Sequence, residues 1–180
     1  MAKTMKITAI SASILTVCFS LLCRFTSVGA FFSLAITAGT VAYHFIIRLL
    51  IGETLDRIMH NKADYTKRWF RVGEAEMKLY RVLKVKKWKD KMPTYDADTF
   101  DTSRHTWDEI VQAMCQSELV HEINVVFSFL PVFASVWFGS FWVFLVTSLL
   151  AAAFDLMFVF MQRFNRCRIL RIKARGKRGS

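Results

Sequence analysis

Apolar side chains gather into four blocks, roughly Ile7 to Cys23, Val28 to Ile51, Ile123 to Phe138 and Phe141 to Met161, with a long polar segment between the second and third. Each block is near the ~20 residues a helix needs to cross a hydrocarbon core. Backbone amides in lipid must bond within their own segment, and unbroken apolar runs exclude the alternation of a barrel strand, so the blocks are read as helices. The pattern therefore predicts an all-α, polytopic protein: a four-helix transmembrane bundle with interfacial amphipathic helices. As one membrane domain over residues 1–180, it has spans at about 7–23, 28–51, 123–138 and 141–161, a cytoplasmic or interfacial helical insert at 52–122 and a basic cytoplasmic tail at 163–180. A secretory signal peptide is the rival reading of the first block, since Lys3 and Lys6 precede it and Val28-Gly29-Ala30 resembles a cleavage site. The apolar run exceeds the usual ~7–15 residues and the next span follows at once, which favours a retained helix.

Within the spans, Pro131 is expected to kink the third helix or free a carbonyl, and Gly29, Gly39 and Gly139 offer places for close helix approach. In the insert, Leu79, Val82, Val85, Trp88 and Met92 recur at spacings of three and four, with Lys84, Lys86, Lys87, Lys89 and Lys91 in the gaps. This predicts one amphipathic helix from about Trp69, lying in the headgroup layer and ended by Pro93. After an acidic, turn-prone stretch from Asp96 to Asp101, Thr106-x-x-Glu109 reads as a capping box that starts a helix running unbroken into the third span.

Charge orients this frame. Residues 52–122 hold thirteen Lys/Arg and thirteen Asp/Glu, whereas 163–180 hold eight Lys/Arg and no acid, so the net charge of +11 comes mostly from the tail. Lys3, Lys6, the insert and the tail fall on one side of a four-span arrangement and only Arg24 on the other, which puts both termini in the cytoplasm of a cell-membrane protein. A basic tail directly after a span, with few aromatic side chains, points to anionic headgroups rather than to nucleic acid. Cys18, Cys23, Cys115 and Cys167 show no metal-ligand spacing, and no disulfide is expected. The chain has no Gly-rich phosphate loop and no Gly-x-Ser-x-Gly elbow.

Glu118 and His121 share a helix face where the chain enters the bilayer, with Cys115 one turn earlier. A carboxylate beside an imidazole can fix its tautomer and raise its basicity, as a general base for a hydroxyl nucleophile requires. The plainer reading is an interfacial helix presenting polar groups to water. Half a metal site is a third, although no second Glu-x-x-His pair is present and no metal is expected. His44, Arg48 and Asp155 are ionisable groups inside spans, His44 and Asp155 at a similar depth of ~10 Å, so that Asp155 is expected to pair with Arg48 or His44. Arg48 also lies close enough to the interface to snorkel. Gln162, Arg163, Asn165 and Arg166 close the last span, in the same layer as Glu118 and His121.

Three stretches carry a family resemblance: Leu79-Tyr80 with Lys84-Val85-Lys86-Lys87-Trp88-Lys89-Asp90-Lys91-Met92-Pro93, then Cys115-x-x-Glu118-x-x-His121, then Gln162-Arg163-Phe164-Asn165-Arg166. In order and spacing they resemble the glycosyl-4,4'-diaponeurosporenoate acyltransferase family, small bacterial membrane enzymes that esterify a sugar hydroxyl of a carotenoid glycoside. The resemblance covers about residues 68–170, and the first two spans match only in kind. The chain departs from the family pattern at Met114, Gln116 and Glu122, and at Thr94-Tyr95 after the proline.

The resemblance implies a membrane O-acyltransferase that moves a fatty acyl chain onto a hydroxyl of a lipid or glycolipid at the cytoplasmic leaflet. It implies His121 as general base and Glu118 as its orienting partner. Lys87, Trp88, Asp90, Gln162, Arg163, Asn165 and Arg166 are then candidates for substrate binding, with Lys87, Arg163 and Asn165 as donors to the oxyanion or to a phosphate-bearing acyl donor. Partners are then membrane lipids, an acyl donor such as a thioester and a hydroxylated acceptor, with no other cofactor. Two alternatives stay open: a non-catalytic lipid-binding or scaffold protein of a lipid-synthesis complex, and metal-assisted hydrolysis.

Overall fold

The computed structural model describes residues 2–26, 28–93 and 98–176. Thr94, Tyr95, Asp96, Lys177 and Arg178, which figure in the reading above, lie outside these. Helices α1 (Ala2–Thr26), α2 (Gly29–Met59), α3 (Glu74–Val82), α4 (Val85–Trp88), α5 (Trp107–Phe127), α6 (Leu130–Phe138) and α7 (Phe141–Gly176) are joined by short 3₁₀ turns, and the described residues contain no strand. Four helical stretches are long and apolar enough to cross a membrane: Ala2–Thr26, Gly29–Met59, Trp107–Phe138 and Phe141–Arg175. The all-α, four-span reading therefore holds. The helices overrun the apolar blocks because charged residues such as Glu53 and Arg57 in α2, or Arg168 and Arg171 in α7, are good helix formers once outside lipid.

By its internal contacts the chain forms two units, residues 1–53 with 123–154, and residues 54–122 with 155–180. The first is solvated by apolar groups on its outside: Ile10, Ile14, Phe133, Val136, Trp137, Trp142 and Leu150 are all exposed. Many of its buried positions are small, with Ala9 and Ala12 on α1 and Ala35, Thr40 and Ala42 on α2. Small residues let helix backbones approach where lipid offers no hydrophobic drive to association. Gly39 is such a place, because a Cβ there would meet Thr16 Cγ2 at 3.3 Å. Gly29 and Gly139 are not, with nothing within 4 Å. Gly139 instead adopts φ +67° and caps α6.

Pro131 does what a proline in a membrane helix must. It cannot donate to the carbonyl four residues back, that of Phe127, and α5 gives way to α6 across Ser128 and Phe129. The Tyr43 hydroxyl on α2 donates to the Phe127 carbonyl at 2.9 Å, filling the vacancy. Arg48, one further turn along α2, turns inward too: it donates to the carbonyls of His44 at 2.6 Å and Ala151 at 3.1 Å and to Ser128 Oγ at 3.4 Å.

The insert departs from the expected single amphipathic helix. Gly73 caps α3, and Lys84 takes a left-handed conformation, φ 52°, that ends it. The Trp88 indole donates to the Leu83 carbonyl at 3.0 Å, satisfying an end-of-helix acceptor. The turn at Lys84 rotates the apolar stripe, so that Val85 is fully buried while Val82 is 76% exposed. Spacing alone did not show the break because lysine carries no signature for a left-handed residue. The capping box is present as expected, with Thr106 N donating to Glu109 Oε2 at 2.7 Å and Glu109 N to Thr106 Oγ1 at 3.3 Å. The four cysteines are free thiols.

Replacing Tyr43→Phe strands the Phe127 carbonyl in an apolar layer and is expected to cost about 1–2 kcal/mol. Adding Pro131→Ala restores a backbone donor and should recover most of that loss. Thermal unfolding midpoints of the three proteins in detergent check this, and an unchanged midpoint for Tyr43→Phe contradicts it.

Candidate active site

Within the second unit, α5 delivers Glu118 and His121 and α7 delivers Asp155, Gln162, Arg163 and Arg166. Glu118 is completely buried and shared by two arginines, with Arg163 Nη1 at 2.5 Å from Oε1 and Arg166 Nη1 on Oε2. Arg163 also grips Glu76 of α3 through Nε at 2.5 Å and Nη2 at 3.1 Å, and it donates to the carbonyls of Trp69 and Arg71, each at 3.2 Å. All five of its N–H donors are thereby engaged. Arg166 takes the intervening Phe70 carbonyl at 2.7 Å and lies over the Phe70 ring at 5.2 Å. Three successive carbonyls, 69 to 71, are thus held by two side chains of α7.

Outside the spans, the Glu76 carboxyl feels two opposed influences. Burial pushes its pKa up, but the hydrogen bonds from Arg163 and Tyr80 and the Arg163 charge outweigh that and leave it below the ordinary carboxylate value. Tyr80, buried against Phe160 and Phe164 and donating to Glu76, is raised, first by burial and then by the neighbouring carboxylate.

His121 stands apart from this cluster. Its Nδ1 is 2.9 Å from Asp155 Oδ1, and its ring stacks on Phe158 with centroids 4.4 Å apart and planes 6° from parallel. Asp155 is 1% exposed, against 20% for the His121 side chain, so the carboxylate is shut off from solvent while part of the His121 side chain is exposed. No described residue bonds Nε2. With Nδ1–H donated to the carboxylate, Nε2 carries the lone pair a base needs.

This arrangement revises several sequence expectations. Glu118 does not orient His121; Asp155 does, and Glu118 serves the arginines. Arg163 and Arg166 are both held by internal partners, and Arg163 has no donor left for an oxyanion or a phosphate. The expected pairing of Asp155 with Arg48 or His44 is not among these revisions: His44 and Arg48 belong to the first unit and Asp155 to the second. His44 is buried with its ring edge-on to Tyr43 at 5.5 Å. Trp88 and Asp90 bond Leu83 and Lys89, Lys87 is exposed, and none of the three bonds the Glu118 cluster. Asn165 makes no side-chain hydrogen bond among the described residues, whereas Gln162 donates to Ser117 Oγ at 3.1 Å.

Sequence reading missed Glu76, Glu122 and the carbonyl run at 69–71. Glu122 accepts from the Trp69 indole at 2.8 Å, so the position that departs from the family pattern has a structural partner. Among the described residues, no group of three or more His, Cys, Asp or Glu side chains could hold a metal ion.

A helical membrane protein with a buried carboxylate pinned by two arginines, beside a histidine aimed by a second carboxylate, is the class that fold and site define. Residues 61–175, more than half of the chain, match the glycosyl-4,4'-diaponeurosporenoate acyltransferase family, and the chain belongs to that family. No curated protein and no solved structure matches it. The matched region contains every residue of the cluster and of the His121–Asp155 pair.

Substituting Glu118→Ala leaves Arg166 buried with no carboxylate and is expected to cost about 3–5 kcal/mol. Recovery of folded, monodisperse protein from detergent extracts should collapse, and recovery equal to the wild type contradicts the assignment.

Proposed function

We propose that the chain is a membrane O-acyltransferase that esterifies a sugar hydroxyl of a glycolipid acceptor with a fatty acyl chain drawn from an activated donor such as a thioester. Family membership supports acyl transfer and an acceptor of the glycosyl carotenoid type. The observation that carries the mechanism is the His121–Asp155 pair, a buried carboxylate against a partly exposed imidazole whose second nitrogen is bonded by no described residue. An alcohol is a poor nucleophile at neutral pH, and a positioned base that accepts its proton in the transition state typically contributes about 10²–10⁴-fold. Asp155 holds the ring in one tautomer and stabilises the imidazolium that forms. Glu118, Arg163, Arg166 and Glu76 act as positioning residues that lock α5 and α7 in register.

The excess of Lys and Arg on one side supports an orientation with both termini in the cytoplasm and a site serving the cytoplasmic leaflet of the cell membrane. An acceptor of this kind keeps its apolar chain in lipid and brings only the sugar to the base.

Two substitutions test the reading. His121→Ala and Asp155→Asn should each insert and fold, and each should lower ester formation by at least about 100-fold, measured as the acylated glycolipid in membranes. Ester formation at the wild-type rate by folded His121→Ala protein excludes His121 as the base and favours a lipid-binding or scaffold role.

A further inference from the structure

Ser117 lies one helical turn before His121 on α5, which puts the two on one face with Cβ atoms ~5–6 Å apart. Helical side chains lean toward the N-terminus, and this carries the His121 ring back over the turn that holds Ser117. On α7, Asp155 and Gln162 are two turns apart on a shared face. Asp155 bonds His121 and Gln162 bonds Ser117, with Phe158 stacked on the ring between them.

The Ser117 hydroxyl also behaves unlike its counterparts elsewhere in the chain. Ser13, Thr16, Thr40, Ser128 and Thr147 each donate to the carbonyl four residues back at 2.7–2.8 Å, as hydroxyls in helices commonly do. Ser117 makes no such bond among the described residues. It accepts an N–H from Gln162 instead, and its own hydrogen is left to give away.

We propose that Ser117 is the nucleophile of a two-step transfer, an inference that rests on His121 being the general base. In the first step His121 Nε2 takes the Ser117 proton as Oγ attacks the carbonyl carbon of an acyl thioester. The new C–O bond forms, the C–S bond breaks, and the thiol leaves with the proton from His121. In the second step a sugar hydroxyl gives its proton to Nε2 and attacks the acyl-serine carbonyl. The bond to Ser117 Oγ breaks, and the proton returns to that oxygen. The products are one ester and one thiol, with no oxidant or reductant. The second hydrogen of Gln162 Nε2 is placed to steady the oxyanion in both steps. A covalent relay also removes the need for donor and acceptor to occupy the site together.

The test uses the full chain in membranes and hexadecyl fluorophosphonate, which transfers its phosphonyl group to an activated serine with loss of fluoride. Peptide mass spectrometry should find the label on Ser117, with labelling at least about 100-fold slower in His121→Ala. Ser117→Ala should form no glycolipid ester. With palmitoyl-coenzyme A, Ser117→Cys should carry an acyl group that neutral hydroxylamine releases. Wild-type protein that makes ester but stays unlabelled at Ser117, or Ser117→Ala that makes ester within threefold of the wild-type rate, overturns the relay. If His121→Ala is inactive in that same assay, the base assignment stands alone; if it too is active, both fall.

Discussion

The structure of the second unit depends on one buried carboxylate. Removing Glu118 from water costs several kcal/mol, and nothing short of direct charge pairing offsets that. Arg163 and Arg166, three residues apart on α7, supply it, and in doing so they fix which turn of α7 faces which turn of α5. Other polar contacts along this seam share that register. Ser117 meets Gln162, His121 meets Asp155, and the remaining guanidinium donors reach out to hold the 69–71 carbonyls and Glu76. The Gln162 to Arg166 stretch, one of the three that carry the family resemblance, is thus largely a clamp, and the His121–Asp155 pair lies outside it.

A related constraint, that backbone carbonyls freed in an apolar setting are claimed by side chains, shapes the first unit. Pro131 breaks the ladder of its helix and Tyr43 repairs it from another helix; Arg48 gives hydrogen bonds to two carbonyls and a hydroxyl. The two units therefore solve one problem in different ways. One uses single hydrogen bonds to backbone oxygens, and the other a network of full charges whose outer members, Glu76 and Glu122, remain partly exposed.

Much of the architecture was legible because it rests on long-range composition. Four apolar blocks give four spans, and Thr106 with Glu109 gives a helix start, since both signals are local and strong. Pro131 announced a freed carbonyl, although not that Tyr43 would claim it, because a tyrosine hydroxyl 84 positions away leaves no mark on spacing. The break at Lys84 was hidden by an apolar repeat that continues through it. Glu118 and His121 were found together as a helical pair, but spacing on one helix cannot say which partners another helix brings. Asp155 was read as an intramembrane charge in search of a cation, and one group it meets is an imidazole 34 residues earlier, on another helix. The His121–Asp155 pairing is thus a property of the packing between α5 and α7.

Two acids with separate tasks, one holding the helices and one aiming the histidine, form the core of this account. The protonation pattern of the His121 ring tests it most directly. Nitrogen-15 spectra of histidine-labelled protein in lipid bilayers, with the His121 signals assigned by their loss in His121→Ala, distinguish the two neutral forms. The account predicts Nδ1 protonated and Nε2 bare at neutral pH, a state that Asp155→Asn should disturb and Glu76→Gln should leave alone. A ring protonated at Nε2 in the wild type would present a donor where a base is required, and would contradict it.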